Sequence, residues 1–349
     1  MIKPADTIRT KTFTESSWSE EKDFEESEIG RILLKCYSKN YDCHDQVHEG
    51  QFKDLIKSHL IFVEHNEAPG EDSYFCSTTW SGFSIECMKK SLGDCLEQLS
   101  KSMTEAFFCS KMASSDLQKL KRSFRKHVYG IGRKHQSEAV IGFADIDEDF
   151  PNFSIRTGLT VTLQKPSRED GDHQDAYEKF AETTESDLMV RTCTRKGEEK
   201  TETMHEVGGV MLFNVHRFLH SHWDVTHTDS DCVDNTKLAF SIPKNKRKDP
   251  YYVCFGDIPR DGLGRLLGGG LYCWESKTLN LNLRCSSVPS PLWHHMKYSN
   301  LANGYFKILF NKEHYEEWYS DCPDNEDKRQ VLTDIEEINR QIQREHSEL

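Results

Sequence analysis

The sequence predicts an α+β protein with helices first, a β-barrel or double-sheet core next and a closing helix. Three observations carry this. Between residues 86 and 112, Met88, Leu92, Leu96, Leu99, Met103 and Phe107 recur at three- and four-residue spacing, the period of one helix face. From residue 138 onward the period changes, and short β-rich runs bounded by turn residues follow one another with little helix between them. Over 326–346, Val331, Ile335, Ile338 and Ile342 form a single stripe that predicts a terminal helix.

Taken in order, residues 1–28 are Ser, Thr, Glu and Lys with a few aromatics, and read as a poorly ordered N-terminal segment. Residues 29–135 read as a mainly helical region. It holds amphipathic pieces at Ile32, Leu33 and Cys36 and at Phe52, Leu55, Ile56 and Leu60, then the long helix over 86–112, then a basic helix from Lys119 to His127. Phe75, Phe83 and Ile85 suggest a strand pair within 73–87. The core is expected over 136–325. Its runs begin with Ala139-Val140-Ile141-Gly142-Phe143 and Leu159-Thr160-Val161-Thr162-Leu163, and continue at 207–215, 236–242, 250–256, 270–275, 278–284 and 304–310. The polar stretch 164–205 reads as an insertion with one helix around 174–185. The helix over 326–346 closes the chain.

Composition bounds the function. The chain has 349 residues, with Lys+Arg 45 against Asp+Glu 58 and a net charge of −13, which excludes a strongly basic nucleic-acid coat but leaves room for local basic patches. Apolar runs such as Val207 to Phe213 are far shorter than a membrane helix requires. The N-terminus has no apolar region of the kind a secretory signal uses, so an intracellular location, nucleus or cytoplasm, is expected. The 12 cysteines are scattered without a Cys-x-x-Cys pair, and read as buried thiols rather than a zinc site.

The densest polar chemistry follows Trp223-Asp224-Val225-Thr226-His227-Thr228-Asp229. On a strand, His227 and Asp229 share a face, which aims one imidazole and one carboxylate at a common point. These are two thirds of the facial triad that holds Fe(II) and leaves positions open for a co-substrate and O₂. His-x-Asp alone is a weak signal, and a polar strand end with an exposed histidine is the bland alternative. A second histidine is available in Trp293-His294-His295-Met296. A lone cation, Lys307, lies in the apolar run Gly304-Tyr305-Phe306-Lys307-Ile308-Leu309-Phe310, placed to meet a carboxylate.

The order His-x-Asp, then the strand end Phe255-Gly256-Asp257, then Gly268-Gly269-Gly270-Leu271, then a distal His, then a basic residue in a late strand resembles the Fe(II)/2-oxoglutarate-dependent dioxygenases. The likeness is to their TET/JBP-like branch and covers roughly residues 207–312. It implies a double-stranded β-helix core (jelly-roll, cupin-like). It also implies His227, Asp229 and His294 as iron ligands, with His295 as the alternative distal ligand, and Lys307 as the anchor for 2-oxoglutarate. The implied activity is oxidation or hydroxylation of a nucleic-acid base or a protein side chain. Lys307 stands where the branch carries Arg.

Two other readings stay open. One is a non-catalytic interaction module on the same barrel. The other is a Mg²⁺-dependent nuclease using Asp145, Asp147 and Asp149, although an acidic turn before Pro151 explains that run more simply. Gly262-Leu263-Gly264-Arg265-Leu266-Leu267-Gly268 resembles a phosphate loop only loosely, because no Lys-Ser/Thr follows. The basic runs Lys119–Lys126 and Lys244–Lys248 are the places where nucleic acid could bind, with solvated faces as the default. The helix over 326–346 packs on the core or pairs with a partner helix.

Overall fold

The structure is a computed structural model that describes residues 2–3, 9–10, 13–14, 17–18, 20–47, 59–65, 73–80, 83, 85–102, 105–113, 117–118, 159–165, 176–192, 204–207, 209–219, 225–226, 236–256, 260, 269–289 and 312–347. Strand β1 (Ile2–Lys3) is followed by two small antiparallel pairs, β2 (Arg9–Thr10) with β5 (Lys22–Asp23) and β3 (Phe13–Thr14) with β4 (Ser17–Trp18). Helix α1 (Glu28–Leu34) starts at Ser27, whose hydroxyl accepts from the Gly30 N–H at 2.9 Å and satisfies one of the orphan donors of the first turn. Ser27 in turn donates to the Phe24 carbonyl at 2.6 Å. Gly30 is required by this packing, because a Cβ there would lie 1.7 Å from the Phe24 carbonyl oxygen. Segment 1–28, expected to be poorly ordered, thus supplies an edge strand, a helix cap and the buried ring of Phe24.

Strands β6 (Tyr41–Val47), β7 (His59–His65), β8 (Ser73–Thr78) and β9 (Glu105–Met112) make an antiparallel sheet in the order β1-β9-β8-β7-β6. Helices α2 (Ile85–Lys90) and α3 (Leu92–Ser100) lie between β8 and β9 in sequence, and Cys95 and Leu99 of α3 pack with Ile29 and Leu33 of α1 against Cys76 and Phe107. The mainly helical reading of 29–135 is therefore corrected, and the single helix over 86–112 is corrected with it. The helical run breaks at Ser91, ends near Lys101 and gives way to a strand. The reason is that β9 is covered on both faces. Phe107 faces the helices, Ala106 and Phe108 face the other way, and a strand apolar on both sides loses the alternation that marks one.

The remaining strands are β10 (Leu159–Lys165), β11 (Asp187–Arg191), β12 (Met204–Val207), β13 (Val210–Phe218), β14 (Val225–Thr226), β15 (Leu238–Ile242), β16 (Tyr252–Gly256), β17 (Gly269–Glu275) and β18 (Ser287–Pro289). Their path is β10-β17-β16-β15-β11-β13-β12, with β14 and β18 joined to β13. Every neighbour on the path is antiparallel except β11 and β13, which are parallel. Helix α4 (Ala176–Thr184) covers one face, where Tyr177, Phe180 and Ala181 meet Leu188, Val190, Leu212 and Ala239. Helices α5 (Lys277–Arg284), α6 (Lys312–Trp318) and α7 (Glu326–Ser347) cover the other. There Leu279, Leu283, Tyr315, Val331 and Ile335 meet Met189, Phe213, Phe240 and Val253. The two sheets join through aromatic rings, with Phe108 of β9 stacked on Phe255 at 5.4 Å and on Trp274 at 4.8 Å between centroids.

The fold is thus mixed α/β with several antiparallel sheets. Among the described residues the larger sheet follows one main path that branches at β13, with helices on both faces. The polar stretch 164–205 is not a simple insertion, because it carries α4 and the central strand β11. The alternating run 278–284 is a helix and not a strand. Ser276 caps it by accepting from the Leu279 N–H at 3.3 Å, and its leucines 279 and 283 are one turn apart on the buried side. The thiol reading of the cysteines is also corrected, since disulfides join Cys36 to Cys43, Cys76 to Cys109, Cys87 to Cys95, Cys254 to Cys273 and Cys285 to Cys322. Among the described residues, no helix is long and apolar enough to cross a membrane.

Gly30→Ala tests the first of these packing constraints. The added methyl must displace backbone and not a flexible side-chain end, so it is expected to cost about 1–3 kcal/mol, read as a lower unfolding midpoint in urea. A midpoint equal to that of the wild type would show that α1 does not pack on Phe24 as described.

Candidate functional site

Strand β13 has more partners than any single sheet position provides. Its first half pairs with β12 and, in parallel, with β11. In its second half, Arg217 and Phe218 pair with Thr226 and Val225 of β14 and also with Val288 and Ser287 of β18. Two strands that pair with the same residues must lie on opposite edges, so β14 and β18 flank the end of β13. Both run antiparallel to β13, and the chain leaves them at Thr226 and Pro289 in the same direction. Pro289 pairs with Val215 and Val288 with Arg217, which leaves His216 as the extra residue of a β-bulge.

Two buried guanidinium groups bracket this point. Arg191, at the end of β11 and 0% exposed, donates from Nη1 to the Val215 carbonyl at 3.2 Å and lies over the Phe218 ring at 5.5 Å. Arg260 donates from Nη1 to Asn214 Oδ1 at 2.8 Å, and its Nη2 stands 3.7 Å from Glu178 Oε1 of α4. Its backbone N–H donates to Thr192 Oγ1 at 3.0 Å, which ties the turn after β16 to the end of β11. Burying a guanidinium is costly unless it is hydrogen-bonded and neutralised, and Glu178 lies on the adjacent helix to do so. Sequence reasoning missed both arginines. The signal for Arg191 was the run Leu188-Met189-Val190 directly before it, hidden inside a stretch read as polar insertion.

The proposed ligands His227, Asp229 and His294, the alternative His295, and the anchor Lys307 lie outside the described residues, as do Asp145, Asp147 and Asp149, the loop 262–268 and the basic run Lys119–Lys126. What the structure places is the last described residue before two of them: Thr226 precedes His227, and Pro289 precedes the segment that carries His294. Among the described residues, no group of three or more His, Cys, Asp or Glu could hold a metal ion. The second basic run is only partly available. Lys244, itself exposed, is engaged by Asp187 at 3.3 Å and Lys246 by Asp321 at 3.5 Å, while Arg247 and Lys248 are exposed. In α7, Val331 and Ile335 are buried in the protein's own core, with Leu332 and Ile338 packed beside them.

Arg284 lies on β18's approach and has a structural task. Its Nη2 donates to both carboxylate oxygens of Asp321, at 2.8 and 2.9 Å, its Nη1 donates to the Trp318 carbonyl, and its Nε reaches Asn280 Oδ1 at 3.3 Å. Tyr251 Oη adds a hydrogen bond to Asp321 at 2.9 Å, and Tyr319 donates to the Ser287 carbonyl at 2.6 Å. This clasp holds the α6–α7 turn against α5 and β18, and with it the register of β18 on β13. Burial by itself pushes the Asp321 carboxyl up, but Arg284, Tyr251 and Lys246 outweigh it and hold the group below its ordinary value. Burial and the hydrogen bond to Asp321 push the Tyr251 phenol up to about 12, and burial raises Tyr319 as well.

No protein-family model matches this chain, and no curated protein matches it.

The clasp has a pH signature at each end of the scale. Asp321 is more acidic folded than unfolded, so its contribution is complete above the ordinary carboxylate value and is lost as pH falls through the lowered one. Tyr251 binds its proton more tightly when folded, so its contribution is complete below pH 10.0 and is lost as pH rises toward about 12. Asp321→Asn is expected to flatten the acid limb of a midpoint-against-pH curve, and Tyr251→Phe the alkaline limb. Limbs that keep their wild-type slopes in both variants would place the titrating groups elsewhere.

Proposed function

We propose that the chain is an Fe(II)- and 2-oxoglutarate-dependent oxygenase acting on a nucleic-acid base or a protein side chain. His227, Asp229 and His294 are the metal ligands in this reading, and Lys307 holds 2-oxoglutarate. The finer fold reading, a double-stranded β-helix core, belongs to the same proposal. The observation that carries it is the motif order His-x-Asp, Gly-Asp, Gly-Gly-Leu, His and Lys along 227–307. The branching of β13 supports it, because β14 and β18, the described strands that precede His227 and His294 in sequence, flank β13 and run in the same direction.

The donor set fits the metal. Two imidazole nitrogens and one carboxylate oxygen are the ligand types that suit ferrous iron with open positions on one face. Bound with 2-oxoglutarate, the iron supplies oxidation of a substrate C–H bond coupled to decarboxylation of the keto acid to succinate and CO₂. The chain's own residues do the rest. In this reading the His-x-Asp spacing would offer both donors from one face if the strand continued through them, and the Lys307 ammonium would neutralise the distal carboxylate of 2-oxoglutarate. Arg284 is not available as a substitute anchor, since Asp321 occupies it.

A second reading, a disulfide-framed interaction module without catalysis, is favoured by one observation: ten cysteines are paired in disulfides among the described residues.

Succinate release from 2-oxoglutarate, measured with and without Fe(II), separates the two. Release is expected only with Fe(II), and His227→Ala combined with Asp229→Ala is expected to abolish it while the midpoint of the metal-free protein stays nearly unchanged. A double variant that unfolds would make the two residues structural, and a wild type that never turns over 2-oxoglutarate would favour the interaction module. Lys307→Ala is expected to weaken 2-oxoglutarate binding by about 2–5 kcal/mol, the scale for losing one member of a buried charge pair. Equal affinity in a calorimetric titration would move the anchor to another cation.

A further inference from the structure

We infer that ten cysteines of this chain are modification sites, oxidised pairwise by thiol–disulfide exchange, and that the protein therefore matures in an oxidising compartment. The inference does not rest on the oxygenase reading. It rests on how the pairs arise, since two follow from strand register, one from a turn, one from a helix corner and one from an ion pair. Cys76 and Cys109 are register partners on β8 and β9, and Cys254 and Cys273 are register partners on β16 and β17, so the ladders alone oppose their side chains. Cys36 and Cys43 face each other across the turn into β6, with Cα atoms 5.5 Å apart. Cys87 and Cys95 close the corner between α2 and α3 at 6.0 Å. Cys285 and Cys322 are each the next residue after a member of the Arg284–Asp321 ion pair, which brings their Cα atoms to 5.6 Å.

Burial does not explain this. A cysteine kept as a small apolar residue needs only an apolar neighbour, as Cys76 and Cys95 have in plenty, and has no reason to face another cysteine. Among the described residues no cysteine lacks a cysteine partner. Thiols so opposed stay reduced only where a strong reducing poise is maintained, which is why such frameworks belong to oxidising compartments. The arrangement is also modular. Three bridges lie in the N-terminal sheet and its helices, two lie in the larger sheet and its helices, and none of these five joins one unit to the other.

The chemistry balances with an external disulfide as oxidant, either a protein disulfide or a low-molecular-weight one. In each exchange two cysteine S–H bonds and the external S–S bond are broken. One cysteine S–S bond and two external S–H bonds are formed, so two electrons and two protons pass to the oxidant. Five exchanges complete the described set.

The test uses the full chain made through a secretory pathway and, separately, in a reducing cytosol. Each product is denatured in an alkylating agent with and without prior reduction, then weighed intact and mapped by peptide. For the secreted chain, the ten named cysteines are expected to label only after reduction, with the five links recovered as peptide pairs. Reductant is expected to lower its thermal midpoint by roughly 5 °C or more. The inference is overturned if the secreted chain labels at these cysteines without reduction or yields scrambled links. It is equally overturned if the cytosolic chain folds with all ten thiols free and a midpoint that oxidant does not raise.

Discussion

The shared strand β13 is the constraint on which the rest depends. It lies between β11 and β12 over its first half and between β14 and β18 over its second, with a bulge at His216 inside the β13–β18 pairing. A strand in that position must have apolar side chains on both faces, and Leu212 and Phe213 point to opposite helix layers. It must also accept partners of both senses, parallel β11 and antiparallel β12. Because the ladder period is two, a one-residue slip in β13 would exchange its two faces and disrupt both cores at once.

What holds β13's far neighbours in place is polar and covalent more than apolar. Strand β18 is three residues long, too short to define its own register, and it is positioned by Tyr319 on Ser287 and by the clasp of Arg284 on Asp321. The Cys285–Cys322 bridge lies directly beside that ion pair. Asn280, buried one turn earlier in α5, donates to the carbonyls of Ser241 and Tyr252 at 2.9 Å each and locks the helix onto β15 and β16. Full satisfaction is what allows such a network to sit inside a core: Arg284 is completely buried, and a partly satisfied guanidinium there would destabilise the fold.

Several elements were legible in the chain alone, each for a physical reason. The terminal helix was visible because Val331, Ile335 and Ile338 repeat at helical spacing against a charged opposite face, and the helix runs Glu326–Ser347. The strands β15, β16 and β17 were visible because apolar runs of five to seven residues between turn residues have little alternative. The order of the motif residues from His227 to Lys307 is likewise a property of the sequence, and it is what the oxygenase proposal rests on.

Other features were decided by tertiary structure. Phe107 continues the spacing of a helix, yet lies in a strand, because the sheet and the helices cover both its faces and pairing with β8 outweighs local propensity. The run Thr278 to Leu283 alternates like a strand and folds as a helix, since Ser276 caps it and its buried side faces β15 and β16. Arg191 and Arg260 look like surface cations until β13 and α4 bring Asn214, the Val215 carbonyl and Glu178 to them. The cysteines are the sharpest case. Spacing along the chain cannot say which thiol will meet which, because the partner of Cys254 is chosen by the register of two strands and that of Cys285 by an ion pair formed 37 residues away. Local periodicity determines which segments can be helix or strand; only the pairing of distant segments determines which buried charges and which sulfurs come together.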